Sequence, residues 1–303
     1  MEGGIRMNEK RRMITTSNRG LQEDSFPYRL YQKAKRFGIW NPSDIDFSQD
    51  KEDWRTLNKE QKNEILRLIS QFQAGEEAVT LDLLPLMFVI AKEGRLEEEM
   101  YLTTFLYEEA KHTEFFRLVL NTLGEYGDLS LFHSETYHKI FGEILPQAME
   151  RLITDSSPEA IAEASTVYNM FVEGVLAETG YFSFYQSLEK AGIMPGLLKG
   201  ISYLQKDESR HIGYGTYLLQ RLISEHPHLY ECIAGKMEEL TPLAIKLNQE
   251  GFSQNVSTFG SSAEDTMNFT MKQLSVRMEI LSRARGKKTE EIFRVQENEL
   301  GVF

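Results

Sequence analysis

Cysteine is nearly absent from the 303-residue sequence, where Cys232 is the single example. One thiol can form neither an intrachain disulfide nor a cysteine-rich zinc site, so both are excluded and a reducing compartment is the expected setting. The longest apolar run, at 83–91, is too short to span a bilayer, and no apolar stretch follows the charged first residues. We therefore expect a cytoplasmic protein with no transmembrane segment.

Basic residues are also scarce. Lysine and arginine number 34 against 46 aspartates and glutamates, which gives a formal net charge of -12. Binding of a polyphosphate backbone needs concentrated positive charge, so this balance argues against nucleic acid as a partner. The hydrophobic share of 41% is nevertheless sufficient for a large core.

Strand-like alternation is rare, whereas apolar residues recur at steps of three and four along most of the chain. This pattern predicts helices near 57–93, 96–124, 129–153, 158–191, 195–225, 228–250 and 262–284. Pro85 should kink the first of them. Long helices with short connections predict an all-α fold, a four-helix bundle core with additional helices. We expect one helical domain at 27–284, a flexible N-terminal segment at 1–26 and a C-terminal tail at 285–303.

Two of the predicted helices carry acidic and imidazole side chains on the face that should be buried. Glu109 and His112 lie on one stripe with leucine, phenylalanine and valine, and Glu208 and His211 repeat that register. Each pair is preceded by a glutamate within another apolar helix: Glu76 lies 33 residues before Glu109, and Glu173 lies 35 residues before Glu208. Periodicity alone does not choose between Glu76 and its neighbour Glu77.

Two further Glu-x-x-His matches lack these features. Glu135 and His138 lie off their apolar stripe, and Pro227 should end the helix between Glu225 and His228. We interpret both pairs as solvated surface. Glu108, next to Glu109, is likewise expected on the polar face of its helix and in contact with solvent.

The repeated pattern, glutamate and then Glu-x-x-His, predicts six inward-facing ligands in one bundle. A single buried, hydrogen-bonded glutamate would be unremarkable in a core. Four carboxylates together would repel one another and cost several kcal/mol each to desolvate, so they require protons or cations. Two divalent metal ions satisfy that requirement, and ligands without thiolate favour iron or manganese. This arrangement is a known signature of ferritin-like dimetal carboxylate proteins.

At these residues the chain resembles the ribonucleotide-reductase small-subunit superfamily, from 39–50 through 206–211. Four motifs are most similar to its ligand-binding oxidase branch of the manganese/iron type: "AGEEAVTLDLLP" at 74–85, "EEAKH" at 108–112, "TVYNMFVEG" at 166–174 and "DESRH" at 207–211. The resemblance implies a ferritin-like bundle and selects Glu76 over Glu77 as a ligand.

The resemblance also implies a ligand set. Glu76, Glu109 and His112 would hold manganese, with Glu109 bridging to a second site. The second site would hold iron through Glu173, Glu208 and His211. Di-iron is the alternative cofactor.

The chemistry implied by the resemblance is activation of dioxygen. Members of this branch form an ether bond between a valine and a tyrosine, which here correspond to Val79 and Tyr168. Trp40 and Asp207 resemble an electron-transfer route towards His112. Members also bind a long-chain fatty acid whose carboxylate reaches the metals, and a homodimer is the family expectation.

Three other functions remain open from the sequence. A ribonucleotide reductase small subunit would share all six ligands. However, the position of its usual radical tyrosine is Phe116 here, and the chain has no tyrosine after Tyr230. A di-iron fatty-acid hydroxylase or desaturase would share the metals and the lipid, and a ferritin-like metal store would share the fold.

Overall fold

The computed structural model describes residues 13–252 and 257–288. Within these residues all regular structure is helical, as predicted for an all-α protein. The α-helices are α1 (Phe26–Phe37), α2 (Ser48–Thr56), α3 (Lys59–Lys92), α4 (Leu96–Leu123), α5 (Glu135–Lys139), α6 (Leu145–Glu150), α7 (Pro158–Ser165), α8 (Glu178–Phe184), α9 (Pro195–Glu225), α10 (Leu229–Phe252) and α11 (Ala263–Ser282). Three π-helical segments, Ile140–Ile144, Thr166–Ala177 and Tyr185–Glu189, continue α5, α7 and α8, and short 3₁₀ turns complete the fold.

The long predicted helices correspond to α3, α4, α9, α10 and α11 within a few residues. Helix α3 continues through Pro85. The predicted helices at 129–153 and 158–191 are helical in the structure but contain the π-helical segments, which the sequence pattern did not predict. The pattern also missed α1 and α2. Parts of the two predicted tails, 1–12 and 289–303, lie outside the described residues. Within 13–25, Arg19 forms a bidentate pair with Glu97 of α4, with nitrogen to oxygen distances of 3.1 and 2.7 Å.

Local capping fixes the ends of the long helices. Asn58 accepts a hydrogen bond from the Gln61 backbone N–H, and the Gln61 side chain accepts from the Asn58 N–H, which makes a capping box at the start of α3. Helix α4 ends at Gly124, whose φ of 78° is the left-handed conformation that glycine adopts without a steric penalty. These caps define the lengths of the two helices that carry the first three candidate ligands.

The apolar core consists of two clusters, and five of the six candidate ligands lie between them along α3, α4 and α9. In α4, Phe105 belongs to one cluster and Phe116 to the other, with Glu109 and His112 between them. Along α3 and α9 the two clusters follow in the reverse order, with Glu76, Glu208 and His211 between them. A polar layer therefore crosses an otherwise apolar bundle.

None of the described helices is both long enough and apolar enough to cross a membrane.

Candidate metal centre

The six predicted ligands converge in two overlapping groups. Glu76, Glu109, His112 and Glu208 form the first group, and Glu109, Glu173, Glu208 and His211 form the second. Within each group, one nitrogen or oxygen atom per residue lies within 4.8 Å of the others. Glu109 and Glu208 belong to both groups, so either carboxylate can bridge two ions. All six side chains are buried.

Both imidazoles turn Nδ1 towards the carboxylates. His112 Nδ1 lies 3.4 Å from Glu76 Oε2 and 3.5 Å from Glu208 Oε1. His211 Nδ1 lies 3.0 Å from Glu109 Oε1 and 3.7 Å from Glu173 Oε1.

Several of these buried atoms have no hydrogen-bond partner. They are both Nδ1 atoms, both oxygens of Glu109, Glu173 Oε1 and Glu208 Oε2. Such atoms are costly unless something else binds them. Two divalent cations fit this donor set of carboxylates and imidazoles.

The carboxyl pKa values show how unfavourable the arrangement is without cations. Burial raises the pKa of Glu76 to about 8 and raises that of Glu173 well above its ordinary value. Burial also opposes ionisation of Glu109, but the neighbouring His211 and His112 lower its pKa overall. Metal binding to such a site would displace protons, because the ligands must be deprotonated.

Each histidine is oriented by an acid on the other's helix. His211 of α9 donates from Nε2 to Glu108 Oε2 of α4 at 2.9 Å. His112 of α4 donates from Nε2 to Asp207 Oδ2 of α9 at 3.3 Å. Arg210 donates to both acids, which links the two pairs. These contacts leave both Nδ1 atoms free to bind metal.

Glu108 corrects a prediction from the sequence. It was expected in solvent, but its side chain is only 1% exposed and bonds His211 and Arg210. Helix periodicity placed it off the apolar stripe, but that side of α4 is covered by α9. Glu108 precedes the candidate ligand Glu109, and Arg210 precedes the candidate ligand His211. These two adjacent charges are the sequence signal that could have identified Glu108 as part of the site.

Three further hydrogen bonds support the ligands, and all three were missed in the sequence. Asn169 Nδ2 donates to Glu173 Oε2 at 3.0 Å, and Ser165 Oγ donates to Asn169 Oδ1 at 2.9 Å. The serine thereby fixes which way the amide points. Tyr181 donates to Glu208 Oε1 at 3.4 Å.

The predicted electron-transfer pair lies beside His112. Trp40 Nε1 donates to Asp207 Oδ2 at 2.8 Å, and the Trp40 and His112 rings stack with centroids 6.3 Å apart. Lys111 Nζ lies 3.1 Å from the same Asp207 oxygen.

The predicted cross-link partners are adjacent. Tyr168 is fully buried, and its hydroxyl donates to the main-chain oxygen of Val79 at 3.2 Å. Val79 itself is 5% exposed and lies one helical turn after Glu76 on α3.

Apart from Glu108, the acids and histidines that were set aside as ligands lie outside the site. Glu77 is exposed while Glu76 is buried, and Glu135, His138, Glu225 and His228 are all exposed. Helix α9 ends at Glu225, as the proline at 227 predicted.

An apolar pocket reaches the candidate ligands. It encloses about 600 Å³ including its open mouth. Its lining combines apolar side chains with carboxylates of the site, among them Leu68, Phe72, Val79, Phe141, Leu176 and Leu247 together with Glu76, Glu109, Glu173 and Glu208. One end is therefore polar and buried, and the rest is apolar.

Four carboxylates and two imidazoles held between the helices of one bundle define a dimetal carboxylate protein. Comparison with known proteins is consistent with that class. The family model for the ribonucleotide reductase small chain matches residues 23–273. The chain belongs to this family.

Comparison with solved structures identifies the branch of the family. An R2-like ligand-binding oxidase with an aerobically reconstituted Mn/Fe cofactor is 43% identical with a TM-score of 0.86, over 90% of this chain and 98% of that one. A mutant of such an oxidase with an Mn/Fe cofactor is 44% identical with a TM-score of 0.83, over 86% and 98%. Another mutant, with an Fe/Fe cofactor, is 43% identical with a TM-score of 0.86, over 90% and 99%. The predicted oxidase branch is thus confirmed, and the chain is a dimetal oxidoreductase of that branch.

Proposed function

We propose that the chain is an oxygen-activating oxidase that holds one manganese and one iron ion. Glu76, Glu109 and His112 would bind the first ion, and the remaining three ligands the second. The observation that carries this proposal is the set of buried, unpartnered ligand atoms pointing at one another. A reduced metal pair of this kind supplies the electrons for dioxygen reduction and the oxidising power that follows.

The protein's own contribution is orientation and exclusion of water. Glu108 and Asp207 hold the two imidazoles with Nε2 protonated, so that Nδ1 faces the metals. Phe105 stacks on His211 with centroids 3.7 Å apart, which limits solvent access from that side. Electrostatic interactions inside such a dry site are stronger than in water.

Metal identity has a direct test. Protein loaded with both metals should show manganese at the site of His112 and iron at the site of His211 in anomalous scattering at the two absorption edges. Two irons, or mixed occupancy at both sites, would contradict the assignment. The Glu109→Gln variant should lose both ions, and the Glu77→Gln variant should keep them.

We further propose that the apolar pocket binds a long-chain fatty acid. Its apolar lining suits an alkyl chain, and its polar end lies at the candidate ligands, where a carboxylate head group could meet the metals. Solvent extraction of purified protein followed by mass spectrometry should recover a fatty acid. The Leu176→Glu variant should lose it, because a charge in the apolar lining is costly to bury. Equal recovery from both proteins would contradict the proposal.

We also propose an ether link between Val79 and Tyr168. The Tyr168 hydroxyl already lies 3.2 Å from the Val79 main-chain oxygen, in a region without solvent. Formation of the link removes one hydrogen from the valine side chain and one from the phenol.

Peptide mass spectrometry tests this link. Metal-loaded protein exposed to air should yield a joined peptide lighter by two hydrogens than its separate parts. Anaerobic protein and the Tyr168→Phe variant are the controls. Recovery of only separate peptides from the aerobic sample would refute the link and leave the metal assignment standing.

The Trp40, Asp207 and His112 contacts support a route for electrons into the site. The Trp40→Phe variant should slow anaerobic reduction of the oxidised centre by an added reductant while metal content stays unchanged. An unchanged rate would remove Trp40 from the route.

A radical-storing reductase subunit is the less favoured alternative. Phe116 is fully buried and stacks on Phe72 with centroids 5.3 Å apart, so the position next to the site has no hydroxyl. A hydroxylase or desaturase would share the pocket, and turnover of added fatty acid would distinguish it. A single domain at 27–284, a homodimer and a cytoplasmic location remain proposals from the family resemblance.

A further inference from the structure

A chain of aromatic rings leads away from the metal centre on the side of Phe105. Phe105 stacks on His211 with centroids 3.7 Å apart, and it also contacts the rings of Tyr168 at 6.0 Å and Tyr101 at 6.1 Å. Tyr101 in turn lies 5.3 Å from Tyr214. Phe105 is therefore a branch point, with the proposed cross-link on one side and two buried tyrosines on the other.

Tyr214 differs from the other buried tyrosines of the described residues. Its hydroxyl donates to Glu98 Oε2 at 3.0 Å, and Glu98 is not one of the candidate ligands. By contrast, the Tyr101 hydroxyl has no partner. The hydroxyls of Tyr137 and Tyr168 donate to main-chain carbonyls, and that of Tyr181 to a candidate ligand. Tyr214 alone among these five thus has an independent carboxylate as its proton acceptor.

Glu98 is placed to accept a proton. It is 3% exposed, and its other oxygen lies 3.8 Å from Arg95 and 3.7 Å from Arg221. The two guanidiniums favour the ionised carboxylate, although burial raises its pKa, and a carboxylate with a raised pKa is the stronger base. Burial also keeps the pKa of Tyr214 well above its ordinary value, so its phenol is protonated. Removal of an electron from such a phenol requires an acceptor for its proton.

We propose that Tyr214 and Glu98 form a redox site that discharges the oxidised centre when no oxidisable group is available in the pocket. This inference rests on the proposed oxidase function, which supplies the oxidant. One electron passes from Tyr214 to the oxidised centre through Tyr101 and Phe105. The phenolic proton moves along the existing hydrogen bond to Glu98. A one-electron donor of the thiol or ascorbate class then reduces the neutral tyrosyl, which takes its proton back.

The outer end of this chain of aromatic rings approaches the protein surface. Tyr217 is half-buried and stacks on Tyr214 with centroids 6.3 Å apart, and Phe26 of α1 stacks on Tyr217 at 5.6 Å. Electron tunnelling weakens steeply with distance, so closely spaced rings provide the shortest steps from the buried centre towards a donor in solvent. Phe105 serves as a bridge and is not itself oxidised.

The test uses metal-loaded Tyr168→Phe protein, in which neither the ether link nor a Tyr168 radical can form. After mixing with dioxygen, freeze-quenched samples should show an organic radical by electron paramagnetic resonance, and ring-deuterated tyrosine should narrow its signal. Adding Tyr214→Phe should abolish the signal, and Glu98→Gln should lower it several-fold. The matched control is Tyr185→Phe, which changes a half-buried tyrosine that is not part of the chain of aromatic rings. It should leave the signal unchanged.

Glu98→Gln should still fold, because Arg95 and Arg221 both keep Glu93 and Glu225 as partners. A signal that persists in the Tyr214→Phe protein would overturn the inference, and so would its absence from the Tyr168→Phe protein. Wild-type protein that forms the Val79 to Tyr168 link in the same experiment would show that only this inference has failed. Wild-type protein that neither forms the link nor consumes dioxygen would show that the oxidase proposal itself has failed.

Discussion

The Glu108→Gln variant tests whether the outer contacts of a histidine control metal binding. One Glu108 oxygen accepts from Arg210 and the other from His211 Nε2. Glutamine keeps the shape but replaces one acceptor oxygen with an NH₂ donor. If the amide oxygen faces His211, the NH₂ group meets the cationic Arg210. If the oxygen faces Arg210, the NH₂ group faces His211 and requires an unprotonated Nε2 as its acceptor. The imidazole proton then occupies Nδ1, the atom that should bind metal.

In either case the metal affinity of the second site, which contains His211, should fall more than that of the first site, which contains His112. Loss of such an orienting partner typically costs about 10–100-fold in metal affinity, or about 1.4–2.8 kcal/mol. The fold should survive, because Arg210 keeps Asp207 as a partner. Anaerobic titration followed by anomalous scattering would report the occupancy of each site.

The matched control is Glu77→Gln, which makes the same charge change at an exposed position of α3. It should bind both metals as the wild-type protein does. Wild-type occupancy of the His211 site in Glu108→Gln would refute the reasoning. Equal losses at both sites would show that Glu108 acts on the whole centre and not through His211.

Three further substitutions test positions inside the fold. Burial raises the pKa of Asp82 to about 6, so the native state binds this proton more tightly than the unfolded chain and loses stability as pH rises towards 6. Asp82→Asn should therefore stabilise the protein by about 1–2 kcal/mol at pH 7 and not near pH 4, as measured by denaturant unfolding. Gly200→Ala places a methyl group 2.0 Å from the Phe115 ring and should destabilise the fold by about 1–3 kcal/mol. Gly180→Ala places one 2.4 Å from the Phe72 ring in the apolar pocket and should lower the amount of fatty acid recovered.

Two glycines provide controls for the last two variants. Added Cβ atoms at Gly142 and Gly235 meet nothing within 4 Å. Alanine at either position should not cause the destabilisation expected of Gly200→Ala. It should also not cause the lower fatty-acid recovery expected of Gly180→Ala. A stabilisation by Asp82→Asn that is the same at pH 4 and at pH 7 would show that burial does not raise the pKa of Asp82 in the native protein.

Four of the six candidate ligands could be predicted because an α-helix repeats every three to four residues, whereas the choice of Glu76 over Glu77 needed the family resemblance. Glu109 and His112 share a face for that reason, and the same spacing recurs at Glu208 and His211. Exposed pairs were separable by the same pattern, since Glu135 lies off its apolar stripe. The structure brings the predicted six together, and none of the pairs excluded by spacing contributes a ligand.

The contacts around those ligands could not be predicted in the same way. The pattern of one helix describes its own faces but not which neighbour covers them, and Glu108 is buried because α9 lies against it. The segment 166–177 is buried almost throughout, so it has no polar side from which its π-helical geometry could be recognised. Helix α2 is short and carries many charges, which weakens its periodic signal. Helix α1 is different, because its buried residues Pro27, Leu30 and Ala34 recur at steps of three and four and could have been recognised.

The reciprocal pairing of α4 and α9 has a consequence for how the site fills. Each helix carries a histidine and the acid that orients the other helix's histidine, so the separation of the two helices sets both imidazoles at once. An ion that binds through either histidine therefore helps to position its neighbour. We expect the two ions to load cooperatively, with the second entering a site that the first has already ordered.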